Sequence, residues 1–240
     1  MEKNTIKWAM YLNYFVFAIL LNSVGIVILK AQRNYGVDEL EASILEAFKD
    51  LPIAIVSFLV ASFLPRIGYK RAMLIGLGLV YVACITMYFG NSFATAKLLF
   101  ATVGVSFALI KVSVYSLIGT VTENQQEHNS LMSSIEGVFM IGIALAYFLF
   151  PAFNPETNPD AWLNVYWLLA GISGVSFAFL FLAKSENQVE VPGVNLLDDF
   201  RQMFQLMAKL LTIVFVISAF LFVMIEQGIM SWLPTFNSKV

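Results

Sequence analysis

The sequence contains few charged residues and a single cysteine. Charged residues make up 12% of the 240 positions, whereas a soluble globular domain has about 25%, so the composition argues against a water-soluble fold. Cys84 has no second cysteine to pair with inside the chain, which excludes a fold built on internal disulfides. The formal net charge is -2, and no cluster of four or more basic residues indicates nucleic-acid binding.

The sequence also lacks the motifs of common enzymes and metalloproteins. It has no phosphate-binding glycine loop, no zinc-ligand spacing and no nucleophile–base arrangement. His128 is the single histidine and has no metal-ligand partner at a suitable spacing. We therefore expect a protein that is not an enzyme and that uses no metal or other cofactor.

Seven long apolar stretches fill most of the chain. Hydrophobic residues make up 59% of it, and the mean hydropathy is +0.79. A helix needs about 20 largely apolar residues to span a bilayer. We therefore predict an all-α membrane protein with spanning helices at residues 8–29, 42–64, 72–89, 94–119, 131–153, 161–183 and 206–232.

The basic residues between these stretches predict the orientation. If the N-terminus lies inside, eight lysines and arginines fall on the inner side and four on the outer side. Cytoplasmic loops contain an excess of lysine and arginine. We therefore expect a cytoplasmic N-terminus and a location in the inner (plasma) membrane.

Aromatic residues cluster at the outer start of the sixth stretch, where Trp162, Tyr166 and Trp167 occur. Tryptophan and tyrosine are enriched where helices cross the membrane–water interface. These three residues therefore predict an interfacial aromatic belt.

Charged residues lie inside four of the seven stretches. They are Glu46, Lys49, Asp50, Lys111, Glu136 and Glu226. A charge at mid-membrane costs roughly 2.5–3.5 kcal/mol, and a partner or a water-filled cavity relieves that cost. The membrane-spanning part is therefore predicted to contain the functional site.

The connection after the second stretch resembles the signature loop between helices 2 and 3 of the major facilitator superfamily. The loop's pattern is an acid, arginine, any residue, glycine, any residue and two basic residues, with a small residue four positions before the acid. Four positions match it, namely Arg66, Gly68, Lys70 and Arg71, while Ala61 replaces the usual glycine and Pro65 the usual acid. Gly68 permits a tight reversal, and the basic residues favour the cytoplasmic side.

This resemblance implies an architecture of two six-helix halves, each built from two inverted three-helix repeats. Residues 1–184 would form the N-terminal six-helix bundle, and residues 185–205 a cytoplasmic central linker. Residues 206–240 would contribute a seventh helix, the first of an incomplete C-terminal bundle. The rest of the C-terminal half is then an expected partner.

Two further segments are similar to the branch that contains fucose–proton and glucose/galactose symporters. One runs from residue 20 to 25 and has Asn22-Ser23 where members often have Asn-Asp. The other runs from residue 226 to 236 and begins with Glu226, followed by a tryptophan motif. This similarity implies sugar transport coupled to protons.

Glu46, Lys49 and Asp50 share one face of a helix, because residues three and four apart are neighbours. Asp50 is a candidate for binding a proton or contacting the solute, with Lys49 influencing its charge. Alternatively, the three residues form a self-neutralising cluster near the outer gate that keeps the outward side shut.

Lys111 lies too deep in the fourth stretch for its side chain to reach the interface easily. A cation there can bind an anionic or hydroxyl-rich solute. It can equally pair with Glu136 in the fifth stretch, either as a switch that opens on solute binding or as a structural ion pair.

Glu226 is the best single candidate for proton coupling, because burial away from water disfavours the charged form of an acid. The alternative is a carboxylate that hydrogen-bonds to the other half of the molecule. The adjacent Gln227 is a further candidate. Asn22 and Tyr115 fall on faces that can point inward, where each can hydrogen-bond a solute or connect two helices.

Together these features predict a secondary active transporter that moves a small polar solute, a sugar by resemblance, through alternating access with proton symport. Its partners would be the solute, protons, the lipid bilayer and the C-terminal half, with no nucleic acid. The alternatives are an uncoupled facilitator, an organic-anion transporter, or a non-transporting membrane subunit if the natural chain ends at this point.

Overall fold

A computed structural model describes residues 2–153, 160–183, 201 and 205–238, without the side chains of residues 2–3, 61–63 and 65–66. This part of the chain is almost wholly helical and contains no β-strand. Its helices are α1 (Glu2–Asn22), α2 (Val24–Tyr35), α3 (Glu39–Ile67), α4 (Tyr69–Gly90), α5 (Phe93–Val121), α6 (Gln125–Ala152), α7 (Asn164–Leu182) and α8 (Leu210–Asn237). A 3-10 turn at Ala161–Leu163 leads into α7. The predicted linker, 185–205, lies outside the described residues except for positions 201 and 205.

Every predicted apolar stretch corresponds to a helix or to a bent helix pair. Helices α4, α5, α6 and α8, and α7 with its 3-10 turn, are long and apolar enough to cross a membrane. Most of α1 and all of α2 make a sixth candidate span, bent by 41°. Helix α3 has 29 residues, which is also long enough to cross.

The bend between α1 and α2 occurs at two polar residues. The Asn22 side-chain amide donates a hydrogen bond to the Ala18 carbonyl oxygen at 2.8 Å, and the Ser23 hydroxyl donates to that of Leu20 at 2.7 Å. Polar side chains that bond back to the preceding turn often bend a helix. The bend places Asn22 near the middle of the span.

Polar residues at the helix ends explain why the helices begin and end as they do. The Asp38 carboxylate accepts a hydrogen bond from the Glu41 backbone N–H at 2.7 Å at the start of α3, and Ser92 and Thr95 form a capping box at the start of α5. Gly68 separates α3 from α4 with a φ of +90°, a conformation that favours glycine.

The helix packing repeats between the first three spans and the next three. Helix α3 packs against α5, and α4 packs against both α5 and α7. Helix α1 packs against α6 and α7. If α1–α2, α3 and α4 are exchanged for α5, α6 and α7, the pair α3–α5 becomes α6–α1, α4–α5 becomes α7–α1, and α4–α7 becomes itself. This is the pattern of a six-helix bundle built from two three-helix repeats.

Glycines bring the two equivalent helix pairs of this pattern close together. A side chain at Gly104 of α5 would meet the backbone carbonyl oxygen of Lys49 in α3, and one at Gly142 of α6 would meet Ala18 and the carbonyl oxygen of Phe15 in α1. Small residues permit such close approach between membrane helices.

Helix α8 lies outside this bundle and packs mainly against α2. At the contact, a side chain at Gly25 would meet the backbone carbonyl oxygens of Met230 and Ser231. The most apolar stretch of α8 has no buried residue. The helix therefore meets the bundle along one narrow face.

The expected aromatic belt before α7 is wrong for two of its three members. Trp162 and Tyr166 are fully buried, and only Trp167 is exposed, at 46%. Trp162 in the 3-10 turn and Tyr166 in the first turn of α7 lie in the core, where they pack against each other with ring centroids 6.0 Å apart.

Candidate solute site

A cavity of about 690 Å³ lies between helices α1, α3, α5, α6 and α8. This volume is within the usual range for small-molecule sites, about 300–1,000 Å³. Six of the candidates from the sequence line it, namely Asn22, Asp50, Lys111, Glu136, Glu226 and Gln227. The fold therefore brings together residues that are more than 200 positions apart in the chain.

Aromatic and aliphatic side chains form much of the remaining wall. Phe107 of α5, Phe139 of α6 and Phe220 of α8 line the cavity. Phe107 and Phe139 pack against each other, with ring centroids 6.0 Å apart. The site thus combines apolar surfaces with a few charged and amide groups, as small-molecule sites commonly do.

Lys49 connects α3 to α8 at the edge of this cavity. Its side chain is almost fully buried, and its Nζ lies 3.4 Å from Oδ1 of Asp50. The same Nζ donates a hydrogen bond to Oε1 of Gln227 at 3.1 Å. Asp50 is half exposed, on the cavity side.

The alternative of a three-residue cluster on α3 is wrong with respect to Glu46. Lys49 and Asp50 form a pair, but Oε1 of Glu46 is buried and has no hydrogen-bond partner. Lys49 extends towards α8 instead and uses Gln227 as its second partner.

Lys111 does not form an ion pair with Glu136, which was one of the two alternatives for this residue. Its Nζ lies 5.6 Å from the ring centroid of Phe107 and 5.9 Å from that of Tyr115. These residues are four positions before and after Lys111, so all three share one face of α5. Cation–π contacts of this kind contribute about 0.5–1 kcal/mol at exposed sites.

Glu136 is bound by a tyrosine instead. The Tyr115 hydroxyl donates a hydrogen bond to Oε1 of Glu136 at 2.5 Å. Tyr115 therefore acts on the site through this carboxylate, although it is not among the residues that line the cavity. The sequence interpretation assigned it to the solute or to a helix contact, and the structure gives the second arrangement.

Sequence reasoning missed Tyr14 of α1 next to this group. Its ring centroid lies 6.3 Å from that of Tyr115 and 5.8 Å from that of Phe139. Its hydroxyl is buried and has no hydrogen-bond partner. The only sequence signal for Tyr14 was a tyrosine in an otherwise apolar stretch. Such tyrosines are too common in apolar helices to identify one of them as part of a site.

The loop between α3 and α4 is a structural connection. The Lys70 ammonium donates hydrogen bonds to the carbonyl oxygens of Phe181, at 3.1 Å, and of Ala183. These carbonyls end α7, where a cation is favourable because of the helix dipole. Arg71 is exposed, and the side chain of Arg66 lies outside the described residues.

Within the described ranges, no group of three or more His, Cys, Asp or Glu side chains is placed to hold a metal ion. The ionisable groups of the cavity are two lysines and three carboxylates, namely Lys49, Asp50, Lys111, Glu136 and Glu226. Their chemistry is suited to binding charged or hydrogen-bonding solutes and to accepting a proton.

Comparison with known families decides the kind of protein. The family model described as Major Facilitator Superfamily matches residues 10–240. The chain belongs to the major facilitator superfamily. A comparison with individually curated proteins gave no significant match.

The superfamily prediction from the loop residues is therefore confirmed. Proteins of the major facilitator superfamily are membrane transporters of small-molecule solutes and are generally not enzymes. This superfamily member is accordingly an integral membrane protein with an all-α transporter fold. The resemblance to the sugar-symporter branch remains a prediction.

Proposed function

We propose that this protein is a secondary active transporter that moves a small polar solute together with a proton by alternating access. The carrying observation is the cavity between the six-helix bundle and α8, whose wall contains both signs of charge. Ionisable side chains within membrane spans are costly and mark solute and proton pathways. The resemblance to sugar–proton symporters makes a sugar the expected solute class.

The proton site is assigned to Glu226. Asp50 has Lys49 as a partner and Glu136 has Tyr115, whereas the Glu226 side chain has no ion pair or hydrogen bond within the described part of the chain. A proton on Glu226 removes one negative charge from the cavity, which lowers the cost of moving the loaded cavity through the membrane.

Alternating access requires the cavity to open and close on opposite sides. The contacts between the bundle and α8 are suited to this, because the described side chains make few hydrogen bonds across them. These bonds join Lys49 to Gln227 at 3.1 Å and the Tyr147 hydroxyl to the Met230 carbonyl oxygen at 3.5 Å. In our proposal residues 1–184 form one half and residues 206–240 begin the other, joined by the linker 185–205. The solute then binds between the halves, near the membrane midplane.

The proposed location is the inner (plasma) membrane with the N-terminus in the cytoplasm. The excess of lysine and arginine on the side of the α3–α4 loop supports this orientation. Labelling of a cysteine introduced at Lys97, which lies at the opposite end of the bundle, tests it. A membrane-impermeant maleimide should label that cysteine in intact cells.

An uncoupled facilitator is the second candidate. The observation that favours it is Ser23 at the bend of the first span, where the sugar–proton branch often has an acid. A facilitator equilibrates its solute and leaves the proton gradient unused, so the two candidates differ in accumulation.

The test is accumulation in proteoliposomes that contain the full chain, with an inward proton gradient and labelled L-fucose, D-galactose, D-glucose, D-glucuronate or benzoate. We predict that the native protein concentrates one of these solutes and that Glu226→Gln only equilibrates it. Exchange of labelled for unlabelled solute, which needs no net proton movement, should survive the substitution. Glu41→Gln, at an exposed position in the first turn of α3, is the matched control and should accumulate normally.

Two results would contradict the proposal. Accumulation by Glu226→Gln at the native level would remove this residue from proton coupling. Equilibration without accumulation by the native protein would favour the facilitator.

A further inference from the structure

The cavity contains a lysine whose counter-ion is not supplied by the described part of the protein. Lys111 lines the cavity, is exposed to it and forms no ion pair with a described residue. The carboxylates that share the cavity have other roles, since Asp50 pairs with Lys49 and Glu136 accepts from Tyr115. The third, Glu226, is assigned to the proton, so the inference rests on the proposed function.

Two aromatic rings keep the Lys111 ammonium at the cavity wall. The rings of Phe107 and Tyr115 lie below 6 Å from its Nζ, within the range of cation–π attraction. These contacts hold the cation in place without neutralising it. Water in the cavity can solvate this cation, and an anionic group of a bound solute can take the place of that water.

We infer that the transported solute is a small organic monocarboxylate and that Lys111 binds its carboxylate group. A single unpaired lysine balances one negative charge, so a monoanion fits the cavity better than a dianionic phosphate ester. Phe107 and Phe139, with Phe220 of α8, offer apolar surfaces for the body of the solute. A sugar acid satisfies both this charge requirement and the resemblance to sugar transporters.

The chain offers a clean reporter for solute binding. Cys84, its only cysteine, is fully buried, so the native protein should react little with N-ethylmaleimide. Met140 lines the same cavity and is 57% exposed. A cysteine introduced by Met140→Cys should react, and a solute bound in the cavity should slow the reaction.

The experiment measures this protection for the purified full chain carrying Met140→Cys, with D-glucuronate, benzoate, D-glucose and glucose 6-phosphate. We expect protection by D-glucuronate or by benzoate, and the stronger of the two tells a sugar acid from an aromatic acid. D-Glucose and glucose 6-phosphate should protect at least about 10-fold less well. Adding Lys111→Gln should weaken carboxylate protection by about 10- to 100-fold, the range for a lost hydrogen bond to a charged group.

Two variants separate binding from folding. Lys111→Arg keeps the charge and should retain most of the protection. Lys97→Gln is the matched control, because Lys97 lies on the same helix and also contacts a ring four positions away, 4.7 Å from the centroid of Phe93, but does not line the cavity. An unchanged reaction rate in the absence of solute shows that the cavity of each variant is intact.

Three outcomes would overturn the inference. They are equal protection by D-glucose and D-glucuronate, unchanged carboxylate protection in Lys111→Gln, and no protection by either carboxylate. Failure of the proposed function has a different signature, because it appears as missing proton-driven accumulation whatever the labelling shows.

Discussion

At the scale of single residues, the charged side chains of the cavity differ in whether they have a partner. Lys49 is buried and has Asp50 and Gln227 as its two partners. Asp50 is half exposed to the cavity. Water can therefore solvate Asp50 if its partner is lost, whereas only 4% of the Lys49 side chain is accessible to it.

This difference predicts unequal effects of removing either member of the pair. Asp50→Asn leaves a buried ammonium with only a neutral partner and should lower the stability by about 1–3 kcal/mol. Lys49→Met leaves an exposed carboxylate and should cost less than about 1 kcal/mol. Thermal unfolding of both variants in detergent measures the order, and a lower midpoint for Lys49→Met than for Asp50→Asn would contradict the assignment.

The sequence located the charges of the site but could not give their partners. A charge inside an apolar stretch is visible directly, which is why Asp50, Lys111, Glu136 and Glu226 were identified. The Lys111–Glu136 pair was an alternative to solute binding, because both side chains lie deep in neighbouring stretches. Side-chain rotation decides the outcome, and it brings Tyr115 to Glu136 instead.

At the scale of helices, the packing depends on a few positions that have no side chain. Gly25, at the contact between α2 and α8, is one of them. A Cβ atom at this position would lie 2.5 Å from the carbonyl oxygen of Ser231. That carbonyl belongs to the backbone of α8 and cannot move without displacing the helix. Gly25 therefore sets how closely α8 approaches the bundle.

We predict that Gly25→Ala destabilises the protein by about 1–3 kcal/mol through overpacking. The matched control is Gly171→Ala in α7, where a Cβ atom would meet nothing within 4 Å and the change should stay within about 0.5 kcal/mol. Thermal unfolding of the two variants tests this prediction. Equal stability of the two would mean that α8 does not pack on α2 as described.

The helix bounds were predictable to within a few residues, except where polar residues determine a helix end or a bend. The apolar pattern gave 42–64 for a helix that spans Glu39–Ile67, and 131–153 for one that spans Gln125–Ala152. Capping residues extend both helices into the polar region, which hydropathy does not measure. The bend at Asn22 and Ser23 was also missed, because it depends on side-chain hydrogen bonds to the backbone.

At the scale of the whole molecule, the site exists only through assembly. Its wall combines residues of α1, α3, α5, α6 and α8, and no pair of neighbouring helices contains enough of them to form a site. The family resemblance predicted the six-helix bundle from four loop residues. It could not predict which helix faces meet, since hydropathy is similar on all sides of these helices.

The central claim is that solute passes through the cavity between the bundle and α8, which must move relative to each other. Leu29 of α2 and Leu233 of α8 line a smaller cleft of about 240 Å³ at this contact. Cysteines at both positions can be joined by a bis-maleimide with a reducible link. The control pair is Val82→Cys with Thr102→Cys, which lie in one cleft within the bundle.

The most direct measurement is therefore solute exchange in proteoliposomes before cross-linking, after it and after reduction, with the sugars or D-glucuronate as solutes. The account predicts that joining positions 29 and 233 abolishes exchange, that reduction restores it, and that joining positions 82 and 102 has no effect. Undiminished exchange by protein that is fully cross-linked between α2 and α8 would contradict the account.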